Sequence, residues 1–315
     1  MRKRLISIIV PCFNEESALP EYFKAMQKMF LNLEEKRENF THEYIFIDDG
    51  SKDSTLNEME SLAVQEPDQV HFISFSRNFG KEAAFLAGLR AAKGDYIAVM
   101  DVDLQDPPEM IPEMLKGIVD EGYDMVGSKR VDRSGEPLVR SFFAKFFYKF
   151  VNRISDTKIV EGVRDYRLMT RQVVDAILSM PETNRFSKGI FSWVGFKTKY
   201  LPYKNVVREE GKSRFTFWKL LNYSLDGIID FSELPLTLAS FVGIISCFLA
   251  IIAMIFVIVR RLIFGDPVSG WASLVTIILF IGGIQLFCIG IVGKYIGRIY
   301  LETKHRPIYV IKKKK

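Results

Sequence analysis

Apolar positions along the first 130 residues fall into two alternating rhythms. Short apolar runs at Leu5–Val10, Tyr44–Ile47, Val70–Phe75, Tyr96–Met100 and Asp124–Gly127 have the length of strands. Between them the apolar residues recur every three or four positions, as Leu19, Phe23, Met26, Phe30 and Leu33 do within Leu19–Arg37. Ser54–Gln65, Glu82–Ala92 and Pro108–Glu121 follow the same helical period. Local signals agree: Ser51 and Asp53 precede the second helix, Gly94 closes the third, and proline sits early in the fourth, where it is tolerated. Strands alternating with helices predict an α/β domain with a mostly parallel, Rossmann-like sheet and right-handed crossovers.

The rhythm changes after residue 130. Pro137–Ile154 carries aromatics with Arg140, Lys145, Lys149 and Arg153 among them, and Phe215–Phe231 carries Trp218, Leu221, Leu225 and Ile228. Basic, aromatic, amphipathic helices suit a membrane interface, although core-facing helices share the pattern. Leu234–Val259 and Pro267–Gly293 hold no charged residue, and each exceeds the ~20 residues that cross a bilayer core. The expected organisation is a catalytic domain over 1–214 and an amphipathic juxtamembrane helix over 215–233. Two transmembrane helices over 234–298 and a basic tail over 299–315 complete it.

Charge orients this arrangement. Lys294, Arg298, Lys304, Arg306 and Lys312–Lys315 oppose only Glu302, so the tail is expected on the cytosolic side. Arg260 and Arg261 in the hairpin between the spans pull weakly the other way. Leu5–Val10 is short, ends at Pro11 and lacks a cleavage site, so it is expected as a first strand and not a leader. The catalytic domain and both termini are therefore expected in the cytosol. The net charge of +5 is concentrated near the apolar segments, which points to anionic lipids or phosphates, and no nucleic-acid motif is present. Cys12, Cys247 and Cys288 have no metal-binding spacing and read as reduced thiols.

Candidate chemistry sits at strand ends, where α/β sheets bind ligands. Asp48-Asp49-Gly50-Ser51 ends the second strand, and its carboxylates suit a ribose or base N–H, though Asp-Gly is also an ordinary turn pair. Asp101-Val102-Asp103 ends the fourth, and i, i+2 alternation turns both carboxylates to one side. Such oxygen ligands suit Mg2+ or Mn2+ carrying a diphosphate. Arg77-Asn78-Phe79-Gly80-Lys81-Glu82 follows the third strand. Its glycine allows close backbone approach, and the next helix offers N–H groups to phosphate.

In order and spacing, these segments resemble the type-A, family 2 glycosyltransferases, which take an activated nucleotide sugar and invert its anomeric carbon. The segments are Val10-Pro11-Cys12-Phe13-Asn14-Glu15-Glu16, Asp48-Asp49-Gly50-Ser51, Ser76–Glu82 and Asp101-Val102-Asp103-Leu104-Gln105-Asp106-Pro107-Pro108. The likeness is strongest to the polyprenyl-phosphate group, which includes bactoprenol glucosyltransferases and dolichol-phosphate mannose synthases, and it covers essentially the whole chain. It implies a GT-A fold, a UDP-sugar donor, undecaprenyl phosphate as acceptor, and a bacterial plasma membrane location.

By motif, the resemblance places Pro11, Asn14, Glu15, Asp48 and Lys81 around the nucleotide sugar. Asp101 and Asp103 flank the diphosphate and metal, and Gln105 is a further metal ligand. Asp165, in Val163-Arg164-Asp165-Tyr166-Arg167-Leu168-Met169, matches an Asp-Phe-Arg-Leu element beside the acceptor, with Tyr166 in place of phenylalanine. Arg208-Glu209-Glu210-Gly211-Lys212-Ser213-Arg214 is similar to an Arg-x-x-Gly-x-Ser-Lys loop.

An acceptor phosphate is already ionised near neutral pH, so the heavier task is to bring two anions together. Arg130, Arg140, Arg208, Lys212 and Arg214 are candidates to hold them, because arginine grips phosphate oxygens in pairs. Asp165 is then either an orienting group or a base. Two other readings stay open at this point. A processive polysaccharide synthase normally carries Gln-x-x-Arg-Trp, and none of Trp193, Trp218 and Trp271 follows arginine. An inactive membrane scaffold is opposed by the presence of Asp48, Asp101, Asp103 and Asp165. Glucose is the expected sugar, with N-acetylglucosamine, galactose, mannose and aminoarabinose open. Gly243, Gly282, Gly283, Gly290 and Gly293 would suit helix association in a homo-oligomer.

Overall fold

The computed structural model describes residues 3–36, 39–131, 162–203, 234–264 and 270–315. In chain order these form β1 (Arg4–Cys12), α1 (Ala18–Lys36), β2 (Phe40–Asp48), α2 (Thr55–Gln65), β3 (Val70–Phe75) and α3 (Lys81–Ala91). Then come β4 (Tyr96–Val99), α4 (Met110–Val119), β5 (Met125–Arg130), β6 (Val163–Thr170), α5 (Arg171–Leu178), α6 (Ser187–Trp193) and β7 (Thr198–Tyr203). Two long helices, α7 (Leu234–Phe264) and α8 (Trp271–Thr303), precede a last strand, β8 (Ile311–Lys314). The expected interface helices at 137–154 and 215–233 lie outside the described residues.

The strands form one sheet in the order β7-β5-β6-β4-β1-β2-β3-β8. Its centre, β4-β1-β2-β3, is parallel, as the alternating pattern predicts. Ile6, Ile8 and Val10 of β1 point into one apolar layer, with Tyr22, Phe30, Met59 and Met114 from α1, α2 and α4. Ile9 points into the other, with Phe85, Val174 and Phe191 from α3, α5 and α6. Burial on both faces explains why these strands are continuously apolar.

The flanks depart from the parallel plan. β6 runs antiparallel to both β4 and β5, and β8 runs antiparallel to β3. Strand β8 is Ile-Lys-Lys-Lys, which no apolar rhythm announces. Backbone pairing holds it: Phe72 N–H donates to the Lys315 carbonyl at 3.3 Å, and Lys315 N–H returns a bond to Phe72 at 3.0 Å. Lys313 also reaches Glu60 Oε1 at 2.6 Å. The C-terminal lysines therefore cover an open sheet edge.

Helices α7 and α8 are each long and apolar enough to cross a bilayer, and the charged residues of α8, Lys294, Arg298 and Glu302, all lie in its last third. Their large apolar side chains, Phe241, Phe248, Phe256, Phe280 and Phe287 among them, point outward and are exposed. An apolar surface of that extent suits hydrocarbon, not water. Helix α8 continues past Arg298, the expected boundary of the two-helix region, to Thr303.

Candidate active site

The C-terminal ends of β1, β2, β4 and the start of α3 converge on one edge of the sheet. Two loops interlock there. Asn14 N–H donates to Ser51 Oγ at 3.0 Å, and Lys52 N–H donates to Asn14 Oδ1 at 2.9 Å. Glu15 N–H reaches Thr55 Oγ1 at 2.8 Å, and Ser54 N–H reaches Glu16 Oε2 at 2.8 Å. Asn14 sits at φ 57°, a left-handed conformation that asparagine tolerates.

Asp48 and Asp49 are turned inward. Asp48 Oδ1 accepts Ser51 N–H at 2.8 Å and Oδ2 accepts the Ser74 hydroxyl at 2.6 Å, with the side chain fully buried. Asp49 Oδ1 accepts Phe79 N–H at 2.6 Å and Oδ2 accepts Gly80 N–H at 2.9 Å, so β2 holds the loop that starts α3. Burial raises the pKa of Asp49 despite those bonds. The close approach depends on Gly50, at φ 72°, where an added Cβ would lie 2.4 Å from the Arg77 carbonyl carbon.

The third acidic group arrives through the antiparallel insertion of β6. Val99 of β4 is paired with Arg167 of β6. Two residues further along β4 is Asp101, and two residues back along β6 is Asp165. Antiparallel register therefore sets these carboxylates opposite one another just beyond the ladder. Lys81, the first residue of α3, bridges them: Nζ is 2.7 Å from Asp101 Oδ1 and 2.8 Å from Asp165 Oδ2. Burial works against both charges. The ion pair outweighs it, holding the Asp165 carboxyl well below its ordinary range and raising the Lys81 ammonium.

Asp103 is half-buried, and its Oδ1 accepts Gln105 N–H at 3.2 Å. Between them Leu104 sits at φ 53°, a strained conformation for a leucine that costs roughly 1–3 kcal/mol. That turn directs Gln105 Oε1 to Arg164 Nη2 at 3.0 Å. Arg164 also donates to Tyr203 Oη at 3.2 Å and lies 3.6 Å from Asp106 Oδ1, and Asp106 accepts the Tyr203 hydroxyl at 2.6 Å. Burial raises the Asp106 carboxyl, with Arg164 opposing. Arg164, Asp106 and Tyr203 join Gln105 in one polar cluster that the motifs did not single out. A strand reading of 163–170 supplies the signal: it puts Arg164 on the face of Tyr166, opposite that of Asp165.

Two buried contacts hold β6 in place. Tyr166 is fully buried and its hydroxyl donates to the Pro107 carbonyl at 3.2 Å, which gives the departure from phenylalanine a local role. The Arg167 guanidinium lies 3.6 Å over the Phe191 ring and donates to the carbonyls of Arg164 and Asp165. Burial pushes its pKa down to about 10.

The structure thus brings Lys81, Asp101 and Asp165 into direct contact, with Asp103 and Gln105 on the following turn. Pro11, Asn14, Glu15 and Asp48 lie at the neighbouring strand ends. Arg130 ends β5, its N–H bonded to the Gly162 carbonyl at 2.9 Å, on the far side of β6. Arg140, Arg208, Lys212, Ser213 and Arg214 lie outside the described residues. Among the described residues no cluster of three or more His, Cys, Asp or Glu forms a closed metal cage. Asp103 offers a hard carboxylate on this turn; the Gln105 carboxamide oxygen is a second such donor, but it is engaged by the Arg164 guanidinium and joins a metal shell only on leaving it. That open set suits Mg2+ or Mn2+, which bind one or two carboxylates and complete their shell with substrate phosphates.

Residues 7–178 match the family profile described as Glycosyl transferase family 2. The chain belongs to glycosyl transferase family 2. Its curated relatives cover it almost end to end. A bactoprenol glucosyl transferase of Shigella phage SfV is 46% identical over 98% of this chain and 99% of its own length. A prophage bactoprenol glucosyl transferase homolog of Escherichia coli (strain K12) is likewise 46% identical over 98% and 99%. Among solved structures, glucosyl-3-phosphoglycerate synthase from Mycobacterium tuberculosis, crystallised with Mn2+, UDP and phosphoglyceric acid, aligns with a TM-score of 0.48. It is 20% identical over 72% of this chain and 76% of that one. In this family 2 glycosyltransferase the matched segment contains Lys81, Asp101, Asp103, Gln105 and Asp165, whereas Phe191 and Tyr203 lie beyond it.

Proposed function

We propose that this enzyme transfers glucose from UDP-glucose to undecaprenyl (bactoprenol) phosphate at the cytosolic face of a bacterial plasma membrane, with inversion at the anomeric carbon. One observation carries the reading. A family 2 site shares its chain with two helices of bilayer length, and the similarity to proteins named bactoprenol glucosyl transferase runs through both parts.

An oxygen of the acceptor phosphate attacks the sugar C1, the bond from C1 to the UDP oxygen breaks, and UDP leaves. The attacking phosphate is an anion, so no proton has to be removed from it. Asp165 fits that chemistry, because its ion pair with Lys81 keeps it charged and makes it a poor proton acceptor. Its part is to fix Lys81, and Lys81 places a cation at the meeting point of two anionic substrates. Pro11, Asn14, Glu15 and Asp48 shape the nucleotide side. Arg130, Arg140, Arg208, Lys212, Ser213 and Arg214 serve the phosphates. Asp103 and Gln105 would hold the divalent ion, which supplies charge neutralisation for the departing diphosphate.

A panel of radiolabelled nucleotide sugars, each incubated with the purified full-length enzyme and undecaprenyl phosphate, tests the assignment. UDP-glucose should label the lipid fraction. Labelling from another nucleotide sugar alone would reassign the donor, and release of free sugar without lipid product would remove the acceptor.

A further inference from the structure

The far end of α8 returns to the catalytic domain at one carboxylate. Glu302 Oε1 accepts the backbone N–H groups of Thr183, at 2.9 Å, and Asn184, at 3.2 Å, and its Oε2 lies 3.1 Å from the Thr183 nitrogen. The loop so gripped is tied to α5 by Arg185, which donates to the carbonyls of Ile177 and Met180 at 3.1 and 3.0 Å. It then enters α6, where Ser187 gives both its N–H and its hydroxyl to Glu82. Glu82 is the second residue of α3, directly after Lys81.

A second route runs from the same C-terminal segment to the same place. Beyond α8, the Tyr309 ring stacks on Phe75 with centroids 4.9 Å apart. Phe75 meets Phe79 edge-on at 5.8 Å, and Phe79 N–H is the donor held by Asp49. Both routes end at the start of α3, where Lys81 bridges Asp101 and Asp165.

We propose that Glu302 is a positioning residue that locks the membrane helix α8 to the Thr183–Ser187 loop and so sets the height and orientation of the Lys81–Asp165 pair above the bilayer. The inference rests on the lipid-phosphate reading above. From Lys294 to Thr303 the helix runs past its uncharged stretch, an extension of about 15 Å at the α-helical rise. A stiff stalk of that length holds a domain only as well as its upper attachment does. Glu302 supplies charge-assisted bonds to two main-chain donors there, stronger than neutral ones. A soluble acceptor reaches the site from any direction. An acceptor anchored in the bilayer meets it only if the site stands at a fixed height, and small misplacements cost large rate factors.

The test compares two acceptors on full-length enzyme in liposomes: undecaprenyl phosphate in the membrane, and a short-chain, water-soluble prenyl phosphate. Glu302→Ala should lower kcat/KM for undecaprenyl phosphate by about tenfold or more. Its rate with the short-chain acceptor and its KM for UDP-glucose should stay at wild-type level, and Glu302→Gln, which keeps one acceptor oxygen, should fall between. Equal losses on both acceptors would show a local structural role and overturn the proposal, as would no loss on either. Wild-type enzyme inactive on both acceptors is a separate result: it overturns the lipid-phosphate reading, and the inference with it.

Discussion

Asp101 and Asp165 share one ammonium, that of Lys81, at 2.7 and 2.8 Å. The three side chains come from the turn after β4, from β6 and from α3, so the contact exists only when the antiparallel β6 is inserted beside β4. Lys81 is 41% exposed, so solvent screens the pair and its share in stability is small. Its value lies in where it holds charge. Lys81→Met should leave the enzyme folded and lower transfer about 100-fold or more, the scale of losing a transition-state electrostatic partner. Single-turnover rates together with a thermal unfolding midpoint check this; unchanged turnover would remove Lys81 from the site.

The depressed Asp165 carboxyl makes a prediction about pH. A carboxyl whose folded pKa lies below its unfolded value of about 4 stabilises the fold above that value and loses the contribution as pH falls further. Asp165 therefore stays charged throughout the neutral range and contributes no acid limb to the rate. The limb should instead follow the second ionisation of the acceptor phosphate, near pH 6. A phosphonate acceptor with a higher second pKa should move the limb of kcat/KM upward by the same interval. A limb that stays in place with the new acceptor would make an enzyme group responsible.

The parallel centre and the two long apolar helices were legible because burial on both faces of a sheet, and an apolar surface all round a helix, write themselves into runs of Ile, Val, Leu and Phe. Every expected element up to Gly127 is present with small shifts at its ends, such as Phe40–Asp48 for Tyr44–Ile47. Strand β6 was hidden because Arg164, Asp165 and Arg167 interrupt the apolar run on both of its faces. Strand β8 was hidden because an edge strand of lysines is specified by main-chain bonds. Motif names Asp101, Asp103 and Asp165 as candidates, and the structure sets Asp101 and Asp165 on one ammonium. What motif could not show is that Asp48 spends both oxygens on Ser51 and Ser74, or that Arg164 occupies Gln105.

The open turn at Asp103 predicts a metal dependence with a specific failure. Chelation should stop transfer, and either Mn2+ or Mg2+ should restore it, since the donors are hard oxygens without a rigid cage. Asp103→Ala should not be restored by either ion at any concentration, at unchanged expression. Full activity of purified Asp103→Ala would exclude that carboxylate as a ligand.

Tyr166→Phe separates scaffold from chemistry. The Tyr166 side chain is buried and its hydroxyl donates to the Pro107 carbonyl, a scaffold contact. Its removal should cost about 1 kcal/mol, a drop of roughly 2–4 °C in Tm, with kcat close to wild type. A large loss of kcat at intact stability would place the hydroxyl in the reaction.

Gly50 should be far less forgiving, because two independent obstacles meet there. Its φ of 72° strains any L side chain, and a Cβ would press to 2.4 Å on the Arg77 backbone, which cannot swing aside as a side chain would. Arg77 begins the loop whose Phe79 and Gly80 N–H groups Asp49 holds, so relief of the clash has to push that loop off β2. Gly50→Ala should therefore destabilise the domain by about 2 kcal/mol or more and also displace Lys81, lowering kcat in the fraction that remains folded. Gly122, equally left-handed at φ 68° but with open space around it, is the control. Gly122→Ala should carry the conformational cost alone and leave kcat unchanged, and equal effects at the two positions would show that the clash with Arg77 is not what matters.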